Sequence, residues 1–256
     1  MNKEELRAEL FSLRDEKYRE FHTGLCPGVS EIIGVRLPLQ RAIAKELAKT
    51  GCPELLADFY DEYQEEKMVR GLVIAYMKID EAQRRRLLNG FLPAIDSWSV
   101  CDSVVNTLKS VAKDSEAYWV YALSKLSDSH PFTVRFSVVM LLSYFVNDTY
   151  IDRVLNVLSG IPGGSYYIDM AVAWALSVCY VKFPDKTMDL LQNSSLPAAI
   201  YKMTLRKIIE SCRVSDADKN IIRALSAASS ASPLSAAADA AQKRPRGRRR
   251  SHEGEV

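Results

Sequence analysis

An all-α fold of stacked helix pairs is what this sequence predicts, and three observations carry the expectation. Apolar residues recur at helical spacing in run after run, short breakers separate the runs, and the runs themselves repeat at nearly constant intervals. No segment has the period-two alternation of a strand or the turn dipeptides of a hairpin.

The elements follow in chain order. The opening "MNKEELRAELFSLRDEKYREF" reads as a charged helix and lacks the apolar core of a signal peptide. "PLQRAIAKELAK" puts Pro38 in a first helical turn, where a missing N–H has no partner to lose, and sets Leu39, Ile43, Ala44 and Leu47 on one face. "CPELLADFY", "EEKMVRGLVIAYMKI", a run beginning near Ser97, "SEAYWVYALSKL", "HPFTVRFSVVMLLSYF", "YYIDMAVAWALSVCYVKF" and "AAIYKMTLRKIIESC" continue the helical pattern. Between them "TGCP", "NGFLP", "SDSHP", "GIPGG" and "FPD" supply the Gly and Pro that end helices. From about Ser226 the chain turns to "SAASSASPLSAAADAAQ", then "KRPRGRRR", then "SHEGEV"; small residues without large apolar anchors cannot offset the entropy of ordering. The expected organisation is one domain over residues 1–228 and a disordered Ala/Ser-rich tail with a basic cluster over 229–256.

The repeat is visible in the residues. Val69-Arg70, Val100-Cys101, Val134-Arg135 and Ile168-Asp169 recur at intervals of 31, 34 and 34 residues. "FTVRFSVVMLL" overlays "YYIDMAVAWAL" at a shift of 34, apolar on apolar at most positions. Such a period marks a helical solenoid, an alpha-alpha superhelix whose concave groove is the expected binding surface. The tetratricopeptide Trp-Leu-Gly-Tyr pattern is missing, and the "VR" followed by a later Leu leans towards HEAT-like repeats.

Composition narrows the function classes. The 256 residues are 48% hydrophobic and 26% charged, ordinary for a globular protein, and no run approaches the roughly 18 uninterrupted apolar residues of a membrane span. The expectation is a cytoplasmic monomer. Cys26, Cys52, Cys101, Cys179 and Cys212 are odd in number, form no CxxC and have no histidine at metal-ligand spacing, so they read as buried free thiols. The net charge of +2 is divided: "KRPRGRRR" holds six basic residues, leaving 28 basic against 30 acidic over residues 1–242. The basic run reads as a solvated tail, a localisation signal or a nucleic-acid arm.

Three helices carry side chains that packing alone does not require. After Ser97 the positions Val100, Cys101, Val104, Val105, Leu108 and Val111 form a packing face, while Trp98, Asp102, Asn106 and Lys109 fall on a separate stripe. That stripe is either a half-buried tryptophan above a solvated face or a site. Tyr167, Met170, Trp174 and Ser177 share a face two repeats later, as core or as groove. Arg135 lies between them as one charge in an apolar helix. It closes an ion pair between repeats, the default in such arrays, or it faces the groove as a phosphate ligand.

Taken together, "YREF…IIGVRLPLQRAIAKEL" (Tyr18 to Leu47), "SWSVCD" (Ser97 to Asp102), "HPFTVRFSVVMLL" (His130 to Leu142) and "YYIDMAVAWALSVCYVKFP" (Tyr166 to Pro184) resemble the AlkD-like family of DNA alkylation repair proteins, HEAT-repeat DNA glycosylases. The four stretches lie in the family's order over most of residues 10–225; the tail lies outside the resemblance. The resemblance implies duplex DNA carrying alkylated bases as partner, and metal-independent excision of positively charged alkylated purines without a cofactor. It places the family's Trp-x-x-x-Asp on Trp98 and Asp102, its second tryptophan on Trp174 and its backbone-holding arginine on Arg135. Tyr18 matches an N-terminal aromatic, and Lys109 ends the Trp98 stripe as a further DNA-binding candidate. Ser99 stands where the family often has a second aspartate.

The chemistry suits the inventory. A cationic alkylated purine is already a good leaving group, so what remains is to stabilise a sugar cation and supply water, which one carboxylate flanked by indoles can do. The alternative is a non-catalytic HEAT-like scaffold binding DNA or protein in the same groove.

Overall fold

Side-chain caps open several of the helices. The computed structural model describes residues 1–26, 28, 31–51, 58–193 and 196–231, and side chains to residue 228. Helix α1 (Lys3–Ser12) starts at a capping box between Asn2 and Glu5. The charged opening segment is therefore two helices, not the one expected. Asp15 caps α2 (Glu16–Leu25) by accepting from the Tyr18 backbone N–H at 3.0 Å, while its own N–H donates to Gly34 O at 3.0 Å. A cap competes with helix continuation wherever an aspartate finds an N–H three residues on. Helix α3 (Leu37–Thr50) has Pro38 in its first turn and stops at Gly51, φ 80°. Its buried face holds Ile43, Ala44 and Leu47 as expected, but Leu39 is 40% exposed. Gln40 is buried in its place, where its side-chain amide donates to Val35 O at 2.5 Å. Of the expected helix "CPELLADFY", residues 52–57 lie outside the described residues and Asp58–Tyr60 are not helical.

The chain continues through α4 (Gln64–Tyr76), α5 (Glu81–Phe91), α6 (Trp98–Thr107), α7 (Ser115–Leu123), α8 (Pro131–Met140), α9 (Ile151–Ser159), α10 (Tyr166–Lys182), α11 (Pro184–Asn193), α12 (Ala198–Glu210) and α13 (Asp216–Ala231). A 3₁₀ turn (Leu92–Ala94) follows α5, another (Lys109–Lys113) follows α6, and a π turn (Leu141–Phe145) extends α8. Among the described residues the only β pairing is an isolated bridge between Glu31 and Tyr63. The last helix runs to Ala231, past the boundary expected at residue 228; the basic cluster lies outside the described residues.

Alternate helices form one continuous layer: α3, α4, α6, α8, α10 and α12 pack each against the next, and α5, α7, α9 and α11 lie against its members. Contacts at both ends show that four members run parallel. Lys67 meets Asp96 at the start of α4 and α6, and Arg41 bridges Tyr76 and Thr107 at their ends. Cys101 Sγ meets Phe132 O at the start of α6 and α8, and Tyr144 OH donates to Val105 O at the other end. Phe132 stacks on Tyr167 at the start of α8 and α10, and Lys182 reaches Val146 O beyond their ends. The repeating pairs Val69-Arg70, Val100-Cys101, Val134-Arg135 and Ile168-Asp169 mark these four helices. The period in the sequence is therefore the period of one helix pair, and the fold is an all-α helical repeat.

Apolar side chains fill the layer. Val100, Cys101, Val104, Val105, Leu108 and Val111 are fully buried, as the spacing predicts. Helix α4 is buried on every side, including Glu65, Glu66 and Lys67. Glu65 accepts from the N–H groups of Ile33 (2.9 Å), Gly34 (2.8 Å) and Val35 (3.1 Å), and Glu66 pairs with Arg7 at 2.6 Å. The other end of α4 is closed by Arg84, which donates to the carbonyls of Ile74, Ala75 and Met77. Those are orphan acceptors that a helix C-terminus otherwise leaves to water.

Gly71 lets α4 approach its neighbours. A Cβ there would press into Val104 of α6 and lie 2.7 Å from the Phe91 ring of α5. An alanine would gain about 1 kcal/mol of helix propensity, but overpacking a filled core costs roughly 1–3 kcal/mol. Gly71→Ala is accordingly expected to lower stability in urea unfolding, and a stabilised variant would show that the α4–α6 contact has slack.

Candidate functional site

The site is built from the N-terminal halves of α6 and α8 and from α10. Ser97 caps α6 by accepting from Val100 N–H at 3.2 Å, so Trp98 is the first helical residue and Asp102 follows one turn later, about 6 Å along the axis. The Trp98 indole is half-buried and donates from Nε1 to Leu25 O at 3.2 Å, which ties the C-terminal end of α2 to the start of α6. That bond fixes the ring.

Asp102 and Arg135 form a bidentate pair. Arg135 donates from Nε to Asp102 Oδ1 at 2.9 Å and from Nη2 to Oδ2 at 2.7 Å, while Nη1 donates to Tyr167 O at 3.1 Å. The arginine side chain is 6% exposed and the carboxylate 15%. Burial works against the arginine charge, but the hydrogen bonds and charge of Asp102 more than offset it and hold the guanidinium above its usual range. Of the two roles open to Arg135, these contacts make the ion pair between repeats, with all three guanidinium nitrogens engaged inside the protein.

Trp174 sits two turns beyond Tyr167 on α10, half-buried and packed against the core on the face it shares with Tyr167, Met170 and Ser177. The rest of the Trp98 stripe divides. Asn106 remains on α6, where its amide donates to Asp102 O at 2.9 Å and its Oδ1 accepts from Ser143 at 3.1 Å. Lys109 lies beyond the end of the helix at Thr107, exposed at the opposite edge of the layer, with Nζ 5.9 Å from the Tyr144 ring. The expected single stripe is thus broken, because α6 gives way to a 3₁₀ turn. Tyr18 is half-buried on α2 under the Arg36 guanidinium, 5.0 Å away, and burial and the nearby Glu65 charge raise its hydroxyl. It reaches the site only through α2, whose far end holds Trp98.

The thiols offer no nucleophile here. Burial, with the adjacent Asp102 charge, pushes Cys101 far up, and burial takes Cys26 to about 11 and Cys179 to about 12. Cys212 departs from expectation: it is exposed in the turn after α12, and Cys52 lies outside the described residues. No group of three His, Cys, Asp or Glu among the described residues is placed to hold a metal ion. No helix among them is long and apolar enough to cross a membrane. The sequence reading missed the Tyr167 carbonyl and the Leu25 carbonyl, since backbone acceptors leave no mark on residue type.

A parallel helical-repeat array that fixes one carboxylate a turn from Trp98, with Trp174 half-buried two turns beyond Tyr167 on α10, is the arrangement to be accounted for. The chain matches the model of the DNA alkylation repair enzyme family over residues 4–208 and belongs to that family. No individually curated protein matches it.

Breaking a buried ion pair by removing one member costs about 3–5 kcal/mol, less where the remaining charge reaches water. Arg135→Ala is expected to fall near the lower end of that range in urea unfolding, because Asp102 is partly open. Unchanged stability would return Arg135 to the role of a surface ligand.

Proposed function

We propose that the protein is a DNA glycosylase hydrolysing the N-glycosidic bond of positively charged alkylated purines in duplex DNA. The observation that carries the reading is the Asp102 carboxylate, held in one orientation by Arg135, partly open to solvent, and one turn from the Trp98 indole. In this reaction the bond from C1′ to the purine nitrogen breaks with its electron pair going to the cationic ring, which leaves neutral. Water then bonds to C1′ and gives up a proton, leaving an abasic site. The sugar is a cation at the transition state. A fixed carboxylate stabilises it at the moment it forms, and indole faces of Trp98 and Trp174 add cation–π attraction. No strong acid or metal is required by such a leaving group.

In this scheme Arg135 aligns Asp102 through two parallel hydrogen bonds, and it is also a proposed DNA backbone contact. Tyr18 and Lys109, at the two edges of the layer, are proposed DNA contacts. The second reading, a scaffold that binds without cutting, draws on Ser99 and on the slight acidity of residues 1–242.

Turnover of methylated duplex DNA separates the two. Asp102→Asn is expected to slow single-turnover excision about a hundred- to a thousand-fold, by analogy with removing one preorganised charge-stabilising group. It also leaves the Arg135 charge poorly matched, so stability must be controlled for. Asp102→Asn combined with Arg135→Met removes both charges, and it should fold and still fail to excise. Wild-type rates in either variant, or no excision by the wild type, would overturn the assignment.

A further inference from the structure

A bound duplex presents more phosphates than one arginine can meet, so cations besides Arg135 are needed to hold its backbone. Beside the site, α10 and α12 enclose a cavity of about 330 Å³ lined by Tyr166, Met170, Met203, Arg206, Lys207 and Glu210. Its composition is uneven in an informative way. One wall is aryl and thioether, from Tyr166, Met170 and Met203; the other carries two cations one residue apart. Tyr166 is 61% exposed although large and aromatic, and its ring is edge-on to Tyr167 at 5.5 Å. Tyr167 is the residue whose carbonyl anchors Arg135. Met170 and Trp174, one turn apart, share a face of α10, so cavity and second tryptophan lie on the same side of that helix.

Glu210 occupies both cations. Its carboxylate accepts from Arg206 Nε at 2.8 Å and from Lys207 Nζ at 3.4 Å. Arg206 is 81% exposed, and exposed pairs of this kind are weak and readily exchanged for a stronger anion. A guanidinium fork matches a phosphate as well as a carboxylate.

We infer that this cavity between α10 and α12 is a DNA backbone subsite, in which Arg206 and Lys207 take a phosphodiester flanking the lesion and Tyr166, Met170 and Met203 receive the adjoining deoxyribose. The inference rests on the proposed function for its ligand. Glu210 holds the two cations in place when no DNA is bound and is displaced when it is.

The test is the salt dependence of binding to an undamaged duplex by the full chain. Each phosphate contact contributes about 0.9 to the slope of log affinity against log salt. Arg206→Gln with Lys207→Gln should therefore lower the slope by about 0.9, since the two cations share one phosphate. Glu210→Gln should tighten binding at low salt by up to about fivefold, the scale of one exposed pair. Lys186→Gln on α11, an exposed cation similarly paired with Asp152, is the matched control and should leave the slope unchanged. An unaltered slope in the double variant overturns the inference and leaves the proposed function standing. An equal loss in the Lys186 control also overturns it, because the effect is then one of net charge. Wild-type protein that binds no duplex overturns the proposed function and this inference with it.

Discussion

The guanidinium of Arg135 is the constraint on which the site depends. It ties α6 to α8 through Asp102 and α8 to α10 through the Tyr167 carbonyl, so one side chain sets the register of three parallel helices. A buried ion pair is weak as a source of net stability, since well-packed apolar residues of similar volume do as well or better. What it supplies is direction. A leucine in place of Arg135 can pack in several ways, whereas the two parallel hydrogen bonds to Asp102 are satisfied in one geometry only. The apolar faces of α6, α8 and α10 provide the burial energy, and the pair decides where they come to rest.

The same division of labour recurs along the layer. Glu65 with the Ile33–Val35 backbone, Lys67 with Asp96, and Arg41 between Tyr76 and Thr107 each make a polar join near one end of a helix. Trp98 adds the join to α2 through Leu25. A repeat array without such contacts could slide one helix along the next at small loss of burial. Polar contacts at both ends of each pair remove that freedom, and the edge of the layer becomes rigid where the candidate site lies.

Much of this was legible in the sequence, and the reasons are physical. The 34-residue interval is readable because every helix pair buries the same kind of face. The packing face from Val100 to Val111 and the start near Ser97 follow from helical spacing alone, which left Trp174 open between core and groove. What was not legible depends on partners distant in the chain. Arg135 and Asp102 stand 33 residues apart, and nothing at either position says whether the arginine turns inward or outward. Glu65, Glu66 and Lys67 look like a solvated helix start. They are buried because the Ile33–Val35 loop, Arg7 and Asp96 arrive to satisfy them. The break at Asp15 was local, but a cap and a helix-interior aspartate look alike until the Tyr18 N–H is known to be free for it.

The pairing also bears on substrate selectivity under the proposed function. A carboxylate already bound to a guanidinium presents a reduced field, because the arginine charge lies only a hydrogen bond away from the same oxygens. Such a pair lowers the barrier less than a lone carboxylate would. An ordinary purine, whose departure needs a proton or a much stronger field, gains little from it. A purine made cationic by alkylation needs only modest stabilisation of the sugar, aimed accurately. The bidentate geometry sacrifices field strength for aim. A site that discriminates by the leaving group's own charge has no need to read the shape of the base, so the tryptophans can be given to the sugar.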